Sequence, residues 1–195
     1  MSDEAFERAV ATVLEHEGGF VDDAADPGGA TNWGISLRYA TRLGEIDLDG
    51  DGRNDLDFDL DGDIDAHDIR QMPMAVAVGI YHDQWWDKYG YGELPEFIGA
   101  KVFDLSVNMG ARQSHKCLQR ACRACGQVIA DDGIIGGLTH RAIDEVQLES
   151  WGIDDDFNPL LTALRSEAAG FYRGLVVADP VRRKYQRGWL RRAYA

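Results

Sequence analysis

The chain has no apolar run long enough to cross a membrane, for which about 20 consecutive residues are needed. Its first residues, Met-Ser-Asp-Glu-Ala-Phe, are acidic and amphipathic, without the basic start and apolar stretch of a secretory leader. The expectation is a chain that does not insert in a membrane and stays in the cytoplasm until it is released. Positive charge is scarce. Lys and Arg total 20 against 34 Asp and Glu, a formal net charge of −14. An acidic chain without a recognisable binding motif is not expected to bind nucleic acid. Cysteine is scarce as well: Cys117, Cys122 and Cys125 fall on one predicted helix. Cys122 and Cys125 share a face, and a Cys-x-x-Cys pair can ligate zinc or do redox chemistry. Only His115 lies close, however, and there is no second pair. One straight helix also disfavours a disulfide between neighbours, so the reading is reduced cysteines that pack. The 195 residues can bury one full core, or one core and a small appendage.

What the chain does have begins with a helix over residues 3–17. Phe6, Ala9, Val10, Val13 and Leu14 recur at helical spacing and leave one wet face. Glu17 lies four residues after Val13 and seven after Val10, so it points along the apolar stripe, whereas Glu15 and His16 point elsewhere. Gly18 and Gly19 stop the helix. Phe20-Val21 can start a short strand, Asp26-Pro27-Gly28-Gly29 is a turn, and Thr31 to Ile35 can return as a second strand. Asp26 and Thr31 would then face the end of the first helix from a small β-lobe. Two carboxylates and a hydroxyl around one cleft are what hydrolysis of a glycosidic bond requires.

The pattern Glu17-Gly18-Gly19-Phe20, then Asp26-Pro27-Gly28-Gly29-Ala30-Thr31-Asn32-Trp33-Gly34-Ile35-Ser36, closely resembles the signature of glycoside hydrolase family 108. That family contains phage endolysins and bacterial peptidoglycan hydrolases, and some members are described as secretion activators. The separation Glu17-x8-Asp26-x4-Thr31 also resembles the Glu/Asp/Thr triad of phage-type lysozymes, with the Thr about one residue closer. Phe20 stands where Tyr is more usual. The resemblance implies an N-acetylmuramidase. Glu17 would protonate the glycosidic oxygen, while Asp26 and Thr31 hold and activate a water on the opposite face of the sugar. An inverting enzyme of this kind needs carboxyls roughly 6.5–9.5 Å apart. A retaining mechanism, with Asp26 as nucleophile, stays open. The resemblance further implies release by a holin or a dedicated export route.

A second informative stretch runs from Asp47 to Asp68. Asp57, Asp59, Asp61, Gly62, Asp63, Ile64, Asp65 and Asp68 match positions 1, 3, 5, 6, 7, 8, 9 and 12 of an EF-hand calcium loop. The terminal Asp, where Glu is usual, resembles dockerin-type loops and reaches less far. Upstream, Asp47, Asp49, Asp51 and Gly52 start a second such loop. Its twelfth position is Phe58, so Asp55 or Asp57 would have to complete it. Eleven acids between Glu45 and Asp68 face only Arg53, which concentrates −10 of the −14 there. Such a density repels itself without cations. The expectation is one or two structural Ca²⁺ ions pinning the link between two helices.

The remainder reads as helices. Ser36 can cap one through Leu43, ended by Gly44. Asp65 can cap a short one to Met72, and Pro73 suits the first turn of the next, running to about Tyr89. Trp85 and Trp86 on that segment suit a core, but either can also stack on a sugar. Pro95 starts a helix that ends at Asn108-Met109-Gly110, and Asn108 is a candidate either for the cleft floor or for helix capping. The strings Phe103-Asp104-x-x-Val107-Asn108-x-Gly110 and Asp132-Gly133-Ile134-Ile135-Gly136-x-x-Thr139 resemble the C-terminal peptidoglycan-binding region that accompanies family 108. Gly137-Leu138 departs from it by lacking the usual Pro, which leaves the turn a helix-start role with Thr139 as cap. Arg182, Arg183, Lys184, Arg187, Arg191 and Arg192 form a basic C-terminal stretch. It suits anionic wall polymers or the chain's own acidic surface equally.

Together these readings predict a mainly α, lysozyme-like fold with a small β-hairpin lobe and a calcium-loop insertion. Residues 1–100 form the catalytic region, with the insertion at 45–68, and residues 101–195 the peptidoglycan-binding-like region on the same core. The catalytic set is Glu17, Asp26 and Thr31. Trp33, Trp86 and Asn108 are the sugar-contacting candidates. The calcium ligands are Asp57, Asp59, Asp61, Asp63, Asp65 and Asp68, with Asp47, Asp49 and Asp51 for a second ion. The partner is the peptidoglycan glycan strand, met by a monomer. The competing reading is a non-catalytic, calcium-dependent wall-binding or secretion-adaptor protein. Among enzymes, chitinase and lytic transglycosylase are weaker rivals.

Overall fold

Helix α1 spans Asp3–Glu17 and buries the stripe its periodicity marks out. Phe6, Ala9, Val10 and Val13 are each no more than 5 % exposed. The computed structural model describes residues 3–22, 28–47, 50, 52, 54–149 and 158–195. The fold is mainly helical and lysozyme-like, with one small two-stranded antiparallel sheet. The chain forms two compact units, one of Val10–Gln84, the other of Met1–Ala9 with Trp85–Ala195. No helix among the described residues is long and apolar enough to cross a membrane.

The smaller unit is built around a hairpin. Val21 bridges to Thr31 through two backbone hydrogen bonds of 2.8 Å. Strands β1 (Thr31–Asn32) and β2 (Ile35–Ser36) pair with Thr31 opposite Ser36 and Asn32 opposite Ile35. The turn therefore falls at Trp33-Gly34, inside the stretch whose pattern predicted a single strand. Both turn residues have positive φ, 52° and 80°, the combination whose twist matches a two-residue hairpin. Ser36 Oγ accepts from Tyr39 N at 3.2 Å and caps α2 (Leu37–Leu43), which Gly44 ends at a φ of 74°, as the sequence predicts. Asp65 caps the six-residue α3 (Ala66–Gln71). After Pro73 comes α4 (Met74–Tyr81). The sequence predicts one helix to about Tyr89, but α4 gives way to a π-helical turn, His82–Asp87. Such turns insert an extra residue into a helix and recur at functional sites.

In the larger unit an aromatic cluster forms the core. The Trp86 ring lies 5.6 Å from both Phe6 and Phe103, and 6.4 Å from Tyr91. A 3₁₀ turn (Tyr91–Glu93) leads into α5 (Glu96–Met109), α6 (Ala111–Ala124), α7 (Gly137–Glu149) and α8 (Pro159–Ala178). A second 3₁₀ turn (Pro180–Tyr185) precedes α9 (Gln186–Tyr194). Helix α9 is tied to α5 by buried charges. Arg192 Nε donates to Asp104 Oδ1 at 2.8 Å, and Lys101 Nζ donates to Asp104 Oδ2 at 3.3 Å and to the Arg192 carbonyl. Burial pulls the Lys101 ammonium below its ordinary range, against the opposing pull of Asp104. Trp189 of α9 stacks on Tyr172 of α8 at 5.4 Å. Cys117 and Cys122 are buried and Cys125 half-buried, all three as free thiols. Burial pushes Cys122 up to about 12. Thr139 does not cap α7. It lies inside the helix, and its hydroxyl donates back to the Ile134 carbonyl at 3.2 Å, while the Gly136 carbonyl receives the first helical N–H groups.

Gly99 sits where α5 crosses the 3₁₀ turn. A methyl group there would overlap the Tyr91 carbonyl oxygen and lie 3.5 Å from Leu94 Cβ. In an open helix, Gly→Ala stabilises by about 1 kcal/mol. Here backbone blocks the added carbon, so Gly99→Ala should lower the melting temperature, which thermal unfolding by circular dichroism will measure.

Candidate functional site

Glu17 is the last residue of α1, half-buried, just before Gly18 turns the backbone at a φ of 72°. The hairpin turn lies against its side chain. A methyl group on Gly34 would come within 2.8 Å of Glu17 Cγ and 3.0 Å of its Cβ, and would collide with the Tyr81 hydroxyl. Only glycine can hold this position, both for its positive φ and for want of space. Trp33, beside it, is a bulky residue in the left-handed region, a conformation that survives only where its surroundings impose it. Two hydrogen bonds do so. The Trp33 indole N–H donates to the Met72 carbonyl at 3.1 Å, and the fully buried Tyr81 hydroxyl donates to the Trp33 carbonyl at 3.0 Å. Asn32, 5 % exposed, directs its amide at the end of α3, donating to the carbonyl of Ile69 at 3.0 Å and those of Arg70 and Met72 at 3.4 Å.

Thr31 is half-buried on β1, its hydroxyl 3.3 Å from the Gly29 carbonyl. Glu17, Thr31 and Trp33 thus belong to the same compact unit, with the turn that follows Thr31 packed on Glu17. Asp26 lies outside the described residues. Trp86 and Asn108 belong to the larger unit. Trp86 is 7 % exposed within the aromatic cluster, and its edge reaches a hollow of about 220 Å³ beside Gly92. Asn108 is exposed and accepts from the Tyr172 hydroxyl at 2.8 Å, joining α5 to α8.

The acidic segment folds as a chain of side chain-to-backbone bonds. Asp57 Oδ2 accepts from Gly62 N at 3.0 Å, Asp59 from Asp61 N at 3.3 Å, and Asp61 from Asp63 N at 3.0 Å. Asp68 is 1 % exposed and clasps the two ends of the loop, accepting from Phe58 N at 2.7 Å and Asp65 N at 2.9 Å. Asp65 accepts from His67 N. These bonds bring carboxylate oxygens of Asp57, Asp59 and Asp61 within 4.8 Å of one another. Asp57 Oδ1 is buried without a hydrogen-bond partner among the described residues. Burial and the neighbouring Asp61 raise the Asp59 carboxyl above its ordinary range, and the Asp61 charge does the same to Asp63. Crowded hard oxygens, one of them lacking a donor, suit a divalent cation such as Ca²⁺. In the upstream stretch Asp47 accepts from Gly50 N and Gly52 N at 2.6 and 2.9 Å. Asp49 and Asp51 lie outside the described residues.

Gly34, Tyr81 and Asn32 hold the site together, yet sequence reasoning gave them no role. For Gly34 a signal was present, since a Trp-Gly pair between short β-segments can make a two-residue turn. Tyr81 carried none, because its spacing matches any core aromatic.

Comparisons with known proteins identify the family. Residues 10–110 match the family model described as Glycosyl hydrolase 108, and residues 113–194 match the one described as Predicted Peptidoglycan domain. The structure of SagA from Brucella abortus aligns with a TM-score of 0.68 at 23 % identity, covering 99 % of this chain and 91 % of that one. At that identity the likeness speaks for the fold. No curated protein matches the chain. With the first model spanning just over half of its 195 residues, the chain belongs to the glycosyl hydrolase 108 family and is a glycoside hydrolase of peptidoglycan.

Proposed function

We propose that the chain is an N-acetylmuramidase, cleaving the β-1,4 bond between N-acetylmuramic acid and N-acetylglucosamine by acid/base chemistry. The observation that carries this reading is the packing of the Trp33-Gly34 turn on Glu17, with Thr31 on the strand leading into that turn. Glu17 protonates the departing glycosidic oxygen as the bond to the muramic C1 breaks. A water bonds to C1 from the opposite face and gives its proton to Asp26. The Thr31 hydroxyl orients that water, so the anomeric configuration inverts. The indole of Trp33, fixed through Met72, offers a rigid aromatic edge beside the reacting sugars.

The loop Asp57–Asp68 is proposed to hold one Ca²⁺ through Asp57, Asp59 and Asp61, with Asp63 and Asp65 close by in sequence. Asp47, Asp49 and Asp51 are the candidates for a second ion. The ion's part is structural. It neutralises the crowded carboxylates and so firms α3, whose far end carries the hairpin.

Three outcomes follow. Glu17→Gln should fold normally and lose on the order of 10²–10⁴-fold in wall lysis, the usual worth of a general acid. Asp26→Asn should lose about a hundredfold, and Thr31→Ala less. Turbidity clearance with purified peptidoglycan, and the reducing muramic ends it releases, will read both effects. Near-normal clearance by folded Glu17→Gln would sink the assignment, and anhydro-muramic products would mark a transglycosylase instead. Tyr81→Phe removes one hydrogen bond, a cost of about 1 kcal/mol. It should nonetheless reduce turnover more than stability, since the freed turn no longer fixes Glu17. Equal losses in both would mean that Tyr81 only supports the core. Chelation should lower the melting temperature and Ca²⁺ restore it, since the bound ion adds about 2.7 kcal/mol of stability at a hundredfold excess over Kd. If the double variant Asp59→Ala with Asp61→Ala melts like the parent in both conditions, the loop holds no ion.

A further inference from the structure

The larger unit contains a cleft that catalysis at Glu17 does not use. About 460 Å³ in volume, it lies between the 87–93 corner and the turn at residues 133–135, with Tyr89 and Ile134 on its walls. Tyr89 also lines a neighbouring hollow of about 420 Å³ with Arg112 and Lys116, so the two form a groove with one aromatic ring at its middle. That ring is pre-set by its neighbours. It meets the buried His115 edge-on at 5.2 Å and Tyr91 at 5.7 Å.

The opposite wall is a surface turn built from buried polar groups. Gln119, 1 % exposed, accepts from Gly133 N at 2.8 Å and donates to Asp132 Oδ1, the Ile134 carbonyl and Thr139 Oγ1 at 2.8, 3.0 and 3.3 Å. His115 donates from Nδ1 to the Gly133 carbonyl at 3.0 Å, which leaves Nε2 to accept from the Tyr91 hydroxyl at 2.8 Å. Asp132 Oδ1 accepts from Ile134 N at 2.9 Å. A fully satisfied buried network of this kind makes a surface element rigid. What it fixes in place is an isoleucine 67 % exposed. A rigid turn thus presents an apolar side chain in the same cleft as a clamped aromatic ring.

The lining decides the ligand. Asp87 and Glu93 supply negative charge, Lys88 and His140 basic groups. The glycan backbone of peptidoglycan has no charge for them to meet. Its stem peptides carry carboxylates and, at diamino residues, an ammonium, together with apolar side chains. One wall comes from the segment matched by the hydrolase model and the other from that matched by the peptidoglycan model. We infer that this cleft binds the stem peptide of peptidoglycan, Ile134 and Tyr89 gripping its apolar parts and the charged rim reading its carboxylates and ammonium. The inference rests on peptidoglycan being the polymer engaged and is independent of the role given to Glu17.

The full chain is titrated by calorimetry with N-acetylglucosaminyl-N-acetylmuramoyl-tetrapeptide and with the same disaccharide in which the muramoyl carboxyl is capped as its methyl amide in place of the peptide. The peptide-bearing probe should bind at least about tenfold tighter, and Ile134→Ser and Lys88→Gln should each weaken it about five- to tenfold, as expected for loss of one buried side chain or charge pair. Both substituted side chains are solvent-facing, so unchanged melting curves will certify the fold. Glu17→Gln should leave this affinity intact while abolishing lysis. Equal binding of the two probes, no binding of either, or unaltered binding by both cleft variants would overturn the inference. Loss of binding in Glu17→Gln alone would place the peptide in the catalytic cleft and overturn it as well.

Discussion

Much of the smaller unit depends on one amide. Asn32 Nδ2 points at three carbonyls around the end of α3. A helix of six residues does not sustain itself in water, and α3 persists because both of its ends are bound. Asp65 and Asp68 close its start with a reciprocal capping box, and Asn32 with the Trp33 indole closes its finish. Leaving such buried carbonyls without donors costs about 1–3 kcal/mol each, more than any exposed ion pair in the chain can offset. The amide therefore does two jobs. It ends α3, and it fixes the strand whose next turn rests on Glu17. Through this short helix the acidic loop, clasped by Asp68, is linked to the turn that rests on Glu17.

The larger unit solves a related problem with different chemistry. Lys101, Asp104 and Arg192 bring two cations and one carboxylate out of water to fasten α9 on α5. Breaking such a set by removing one partner strands the others, which is costlier than never having buried them. His115 and Gln119, by contrast, are neutral. They spend their hydrogen bonds on a surface turn, and burial drives the His115 imidazole below its ordinary range, so it stays neutral and keeps accepting from Tyr91. Charge fastens the terminal helix, while neutral donors and acceptors shape the cleft.

The helical framework was legible in the sequence because its signals are local. The stripe of α1, the Ser36 cap with Gly44, the Asp65 cap and the helix between Pro95 and Gly110 each depend on residues within a turn or two of one another. The misreadings share one cause, a choice settled by distant contacts. Trp33 reads as a strand residue until Met72 and Tyr81 hold it in the left-handed region. The segment 74–89 reads as one α-helix, but a π-turn interrupts it where Trp86 meets Phe6 and Phe103 across the aromatic cluster. Thr139 reads as a cap until Ile134 takes its hydroxyl. Side chains that act by supporting others, such as Tyr81 and Gln119, leave no mark in a single sequence.

The three thiols on and beside α6 have a practical consequence. With burial pushing it up to about 12, the Cys122 thiol stays protonated at neutral pH. Cys117 and Cys125 are shifted in the same direction by burial. Burial therefore slows all three thiols toward an alkylating dye. A single cysteine introduced on the surface, at Ile134 or in the acidic segment, would react far ahead of all three. Fluorescent or spin-label reporters can thus be attached to either region with the three native cysteines left in place.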